Sequence, residues 1–157
     1  MDDERWMLQA LDEAGRAADE GEVPVGAVVV HAGRIIGRGH NRIEALFDPT
    51  AHAEIIALSA AANYVHNWRL TGTTIYVTIE PCLMCTGALV LARVKSIVFG
   101  APDEKFGACG SIYDIPWDNR LNHRIEVRSG VLAAESRRLL SSFFERQRAA
   151  RRDGPRT

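Results

Sequence analysis

Apolar positions along the chain follow a helical period in some stretches and a strand period in others. From Glu4 to Glu20, Met7, Leu11, Ala14 and Ala18 recur at helical spacing with Asp12, Glu13 and Arg16 between them. That is the pattern of a helix with one buried face. Gly21 and Pro24 end it. Val25 to Val30 and Arg34 to Gly39 are β-rich runs around Ala32-Gly33, which predicts a hairpin. Asp48-Pro49-Thr50 predicts the next helix start, because Asp48 or Thr50 can cap and Pro49 suits a first turn. That helix runs through Ile55, Ile56, Leu58 and a row of alanines to about Asn63.

Thr73 to Ile79 is rich in β-branched residues and predicts a strand. Pro81 opens another helix through Leu89, Val90 and Leu91, and Ser96 to Phe99 is a strand closed by Gly100. Residues 101–123 carry Gly, Pro, Asp and Asn at short intervals and predict an irregular loop. A short strand, Arg124 to Val127, then leads to a helix from Val131 to about Arg148, with Leu132, Leu139, Leu140, Phe143 and Phe144 on its apolar face. Strands alternating with helices imply parallel pairing, and the opening hairpin adds an antiparallel pair. The expected fold is α/β, a three-layer α-β-α sandwich around a five-stranded mixed sheet.

The 157 residues suit one domain, 1–157, with no internal boundary, and about 149–157 form a basic tail. The apolar fraction of 46% and charged fraction of 25% are those of an ordinary globular chain, which excludes disordered and fibrous classes. The longest apolar runs are too short for a bilayer, so no membrane association is expected. The acidic start Met1-Asp2-Asp3-Glu4-Arg5 has no apolar stretch behind it and implies a cytoplasmic location. A net charge of −1 announces no polyanionic partner. Locally, however, Arg146, Arg148, Arg151, Arg152 and Arg156 face only Asp153. Basic residues suit a helix C-terminus, and they also suit phosphate.

Chemistry concentrates in His52-Ala53-Glu54 and Pro81-Cys82-Leu83-Met84-Cys85. Imidazole and thiolate are zinc ligands. Cys82 and Cys85 stand three apart at a helix start and can share a face, while His52 is expected in the first turn of another helix. Three protein ligands leave a tetrahedral position open, as catalytic zinc sites do, whereas structural sites close with four. Cys109 and His123 are the candidates for a fourth, and Cys109 reads instead as a buried or loop thiol. Glu54, two residues from His52, reaches the site only if the metal lies at the helix end. There it would carry protons between a zinc-activated water and a substrate.

These residues resemble the cytidine-deaminase superfamily, whose zinc nucleobase deaminases carry this signature. The likeness covers nearly the whole chain and is near to the bacterial tRNA-specific adenosine deaminases. It runs through Glu22-Val23-Pro24-Val25-Gly26-Ala27, Asn41-Arg42, the segment from Asp48 to Ile55 and the segment from Glu80 to Cys85. It continues in Phe99-Gly100-Ala101, the stretch from Gly107 to Ser111, Asn122-His123-Arg124 and Phe143-Phe144. The resemblance implies a cytidine-deaminase-like homodimer with one zinc per chain, converting the wobble adenosine of a tRNA anticodon to inosine. It implies that Asn41 and the Ala53 backbone hold the flipped base, and that the loop of Asp103 and the helix of Phe143 and Phe144 line the anticodon channel. The Cys82 backbone N–H, at a helix start, is the expected donor to the developing oxyanion. Pro102 and Ile43 depart from the family's usual basic residue and proline.

Two other readings share these residues. A deaminase of free guanine, cytosine or cytidine would use the same metal group, but it needs neither the long 101–123 loop nor the arginine tail. A non-catalytic, zinc-stabilised RNA-binding module would need neither Glu54 nor an open ligand position.

Overall fold

The computed structural model describes residues 2–154, so Met1 of the acidic start and Arg156 of the tail lie outside the described residues. Helix α1 (Asp3–Asp19) precedes strands β1 (Gly26–His31) and β2 (Arg34–His40). A short helix α2 (Ile43–Leu46) follows, then α3 (Ala53–Val65), β3 (Thr74–Ile79), α4 (Leu83–Leu91) and β4 (Ser96–Ala101). After a single 3₁₀ turn at Ile115–Trp117 come β5 (Glu126–Arg128) and α5 (Ala133–Arg152). The sheet has five strands in the order β2-β1-β3-β4-β5, with β1 antiparallel to both neighbours and β3, β4 and β5 parallel. The expected mixed sheet between helices is therefore what forms. Among the described residues, no helix is long and apolar enough to cross a membrane.

Alternation along the strands divides the core. Ala27, Val29, Ile75, Val77, Ile97 and Phe99 bury against α3 and α4. Val28, Val30, Tyr76 and Val98 bury against Trp6, Met7 and Ala10 of α1, with Val131 and Leu132 ahead of α5. On β2, Gly37 and Gly39 share a face, and a Cβ at either would run into the backbone of α3. Their missing side chains, met by Ala53, Ala57 and Ala61 at every fourth residue of α3, let helix and strand lie in direct contact. This close seat fixes where α3 begins, and hence where His52 stands.

Several elements differ from the sequence expectation. α3 starts at Ala53 because Asp48 is already used: its Oδ1 accepts the Thr50 N–H (2.8 Å) and hydroxyl (2.7 Å) in a local turn. The unexpected helix α2 has no local side-chain cap. Its first N–H groups go to the buried Glu22 carboxylate, from Glu44 at 3.0 Å and Ala45 at 2.9 Å. β4 continues through Gly100 to Ala101, since pairing with Ile79 extends it. β5 and α5 each lie slightly later than expected, and α5 runs to Arg152, so part of the basic segment is helical.

One ionic contact ties α1 to β5. Asp3 accepts both the Nε (2.9 Å) and an Nη (3.0 Å) of Arg128, and also the Tyr76 hydroxyl (3.0 Å). The Arg128 hydrogen bond holds the Asp3 carboxyl below its ordinary value, against the opposing effect of burial. A depressed folded pKa means stability that is present above the unfolded value of 3.8 and lost as pH falls through the folded value. Asp3→Asn should therefore cost about 1–3 kcal/mol at neutral pH. The gap between variant and parent in urea unfolding should shrink as the solution is acidified below pH 3.8. Equal destabilisation at neutral and acid pH would show that the carboxylate charge is not what matters.

Candidate active site

β2 and β3 run in the same direction, each antiparallel to the β1 strand between them. The helices that follow them, α3 and α4, therefore begin at the same edge of the sheet. His52 is the N-cap of α3, in extended backbone (φ −73°, ψ 153°), rather than in its first turn as the sequence implied. Cys82 is the N-cap of α4 (φ −75°, ψ 177°), and Cys85 is the third helical residue. N-cap and third residue are the positions whose side chains face each other in a capping box. Two thiols occupy them here.

His52 Nδ1 lies 3.6 Å from Cys82 Sγ and 3.4 Å from Cys85 Sγ, and the three donors lie within 4.8 Å of one another. Tetrahedral zinc, with Zn–S of about 2.3 Å and Zn–N of about 2.0–2.1 Å, sets N and S ligands about 3.5 Å apart. The donor set fits that ion in both chemistry and spacing. The two fourth-ligand candidates are engaged elsewhere. His123 Nε2 meets the Val94 carbonyl at 2.7 Å, and Cys109 Sγ meets the Thr86 hydroxyl at 3.4 Å. Burial pushes the Cys109 thiol up to about 12, leaving it a neutral core group.

Electrostatics at the cluster favour a charged sulfur. The Cys85 S–H hydrogen-bonds Cys82 and, with a further bond from His52, holds Cys82 down at about 4 against its burial. Cys85 is pushed up by that same shared proton, then by burial and the nearby Glu54 charge. The bond to the Cys82 sulfur raises His52. Two helix N-termini pointing at the cluster add to the preference for thiolate. Glu54, the second residue of α3, is only 3% exposed, and burial raises its carboxyl well above the ordinary range. Because His52 is outside the helix proper, the two side chains converge despite being two residues apart.

A cavity of about 620 Å³ opens over this group. His52, Glu54 and Cys82 form part of its lining, Val23, Val25, Asn41 and Ile43 another part, and Asp103, Lys105, Phe106, Leu140 and Phe144 a third, with Ile79 and Glu80 completing it. Asn41, Asp103 and Phe144 thus line the same cavity as His52, Glu54 and Cys82, while Phe143 is buried. Asn41 is also structural: its Oδ1 accepts the Ala53 N–H at 3.0 Å, and its Nδ2 donates to the Val23 carbonyl at 3.2 Å. The Ala53 N–H is thereby engaged within the protein, and the residue is fully buried. Asp103 Oδ1 accepts the backbone N–H groups of Lys105 and Phe106.

The sequence reading gave no role to Phe106, Glu22 or Glu80. Phe106 lay in a stretch read only as an irregular loop. The two acids carry no local cue beyond lying in apolar surroundings.

A His/Cys/Cys group that can hold a metal ion, beside a buried acid at the helix-bearing edge of a mixed sheet, is the arrangement of a hydrolytic deaminase. The chain belongs to the MafB19-like deaminase family, whose model matches residues 1–148. It is 51% identical over 147 residues to the tRNA-specific adenosine deaminase of Haemophilus influenzae, covering 93% of this chain and 85% of that protein. To the enzyme of the same name from Bacillus subtilis it is 46% identical over 155 residues, 96% of each chain. A solved structure from work on A-to-I editing by tRNA:A34 deaminases superimposes with a TM-score of 0.84 at 41% identity, covering 87% of this chain and 99% of that one.

Replacing Cys82 or Cys85 by alanine should abolish zinc retention and lower the melting temperature, because metal binding and folding are coupled. Cys109→Ser should keep both. Elemental analysis of the purified variants decides, and zinc lost from Cys109→Ser would place that sulfur among the ligands. Separately, Asn41→Ala leaves the buried Ala53 N–H unpaired and should cost about 1–3 kcal/mol of stability. An unchanged denaturation midpoint would show that the bond to Ala53 holds nothing in place.

Proposed function

We propose that the chain is a zinc-dependent homodimer that hydrolytically deaminates adenosine to inosine at the wobble position of a tRNA anticodon in the cytoplasm. The observation that carries this reading is the shape of the site. A buried acid and metal group sit at the floor of a cavity whose mouth is formed by Asp103, Phe106 and Phe144 rather than closed over. Pockets for small ligands enclose most of the ligand's surface. A mouth with exposed aromatic rings suits a base extruded from a longer strand. The names of the relatives point the same way.

His52, Cys82 and Cys85 would hold the zinc, which when bound supplies a Lewis acid and brings the pKa of a water to about 7. Glu54 does the proton work. Burial raises its carboxyl, so it can take a proton from the attacking water and pass it to the purine ring nitrogen beside the reacting carbon, then take the remaining proton of the added hydroxyl and pass it to the departing amine. The Cys82 N–H, at the start of α4, would be the donor to the oxygen that develops negative charge. Asn41 has one amide hydrogen and one acceptor position beyond its two internal bonds, enough to read the edge of the base while α3 stays anchored.

From the cavity outward, Leu140 and Phe144, which line it, and then Arg148 and Arg151 recur along one face of α5, at about 1.5 Å rise per residue. They form a rail leading from the mouth to positions where phosphates of the anticodon arm would lie. The second copy of the chain would cover the groove of Ile55, Leu58, Trp68 and Leu91 between α3 and α4, where Leu91 is 71% exposed and Trp68 62%.

Incubating the zinc-loaded protein with a transcribed tRNA, and separately with free adenosine, guanine and cytidine, tests the substrate class by inosine and ammonia release. Glu54→Gln should keep zinc and fold while lowering inosine formation by ~10²–10⁴-fold. Turnover of a free base with tRNA untouched would overturn the proposed substrate. Near-parental activity in Glu54→Gln would remove this residue from proton transfer.

A further inference from the structure

We propose that Glu80 is a positioning residue for this reaction, setting the substrate-side wall of the cavity through the 103–111 segment. The proposal rests on the reading above that the substrate is an anticodon loop. Glu80 closes β3 just before the α4 cap, is 2% exposed, and lines the same cavity as Glu54 and Phe106. Its carboxylate is filled by donors from one loop. Oε1 accepts the Asp103 N–H at 3.1 Å and the Ser111 hydroxyl, while Oε2 accepts the N–H groups of Cys109 (3.0 Å) and Ser111 (3.1 Å). Gly107 passes so close that a Cβ there would strike this carboxylate.

The chain of support continues outward. Asp103, held through its own N–H by Glu80, accepts the N–H groups of Lys105 (3.0 Å) and Phe106 (3.2 Å). Phe106 is 68% exposed at the cavity mouth, where Phe144 also stands. An exposed ring at such a mouth is a stacking surface for a neighbouring base. Its position is inherited from Glu80 through two hydrogen-bonded steps. Glu80 therefore acts on substrate binding without touching the reacting atoms.

A carboxylate is acceptor-only, which makes Glu80→Gln a selective change. The new amide nitrogen cannot face Cys109 and Ser111, because both offer it a backbone N–H. It must face Asp103 and the Ser111 hydroxyl, and that hydroxyl can turn round to accept. The Asp103 N–H cannot. The substitution thus frees the 103–106 limb and leaves the 109–111 limb tied.

The experiment compares parent, Glu80→Gln, Ser111→Ala and the double variant on an anticodon stem-loop with adenosine at the wobble position. Zinc content and amide hydrogen exchange are measured alongside. The expected result for Glu80→Gln is KM raised about tenfold for one lost bond to a charged group, with kcat and zinc little changed. Exchange should quicken at Asp103 while Cys109 and Ser111 stay protected. The double variant should exceed the sum of the singles, since the turned hydroxyl is gone. A lowered kcat with KM and Asp103 exchange unchanged would overturn the proposal, as would unchanged KM despite a freed Asp103. If the parent itself makes no inosine from the stem-loop, the functional reading fails. The exchange pattern still decides whether Glu80 holds the loop.

Discussion

Two helix N-termini meet at one edge of the sheet, and the site exists because they do. Each brings its N-cap residue in extended backbone, so His52 and Cys82 project from the ends of α3 and α4 and not from their sides. Metal chemistry and helix electrostatics then agree. The backbone dipoles favour negative charge at the cluster, and the thiolates supply it. The approach depends on β1 lying between β2 and β3, which points both of those strands at the same edge. It also depends on Gly37 and Gly39, which let α3 descend onto β2.

Buried and half-buried carboxylates do the rest of the positioning, each in a different way. Glu22 collects the first N–H groups of α2 and seats Ile43 at the cavity. Glu80 collects three N–H groups and a hydroxyl from the loop opposite. Asp3 joins α1 to β3 and β5. A buried acid is costly unless its oxygens are filled with donors, and filling them fixes the segments that supply the donors. Glu54 is the exception. Its burial raises its proton affinity instead of being offset by a set of backbone donors, which is the state suited to moving protons.

The site therefore has a buried floor and an exposed rim. The floor is helix ends and sheet, covered by residues with almost no exposure. The rim is loop and the outward face of α5, with aromatic and arginine side chains open to solvent. Reaction geometry belongs on the first and recognition of a larger partner on the second.

The sequence by itself determined the elements other than α2, and the chemical group. β-rich runs marked β1 to β4, helical spacing marked α1 and α5, and the pairing of His-x-Glu with Pro-Cys-x-x-Cys singled out the group that can hold a metal ion, because these signals are local. Only the tertiary structure decided where α3 starts, that α2 exists, and what Asn41, Glu22 and Glu80 hold. For α2, Asn41, Glu22 and Glu80 the deciding bond joins residues distant in the chain, such as Glu22 to Glu44 or Glu80 to Ser111. A capping group that arrives from another segment leaves no mark in the local pattern. Asp48 illustrates the converse: its local signal for a helix cap was real, but a nearer partner, Thr50, claimed the same oxygen. Composition and periodicity record what a residue prefers, while packing determines which of several competing partners it meets.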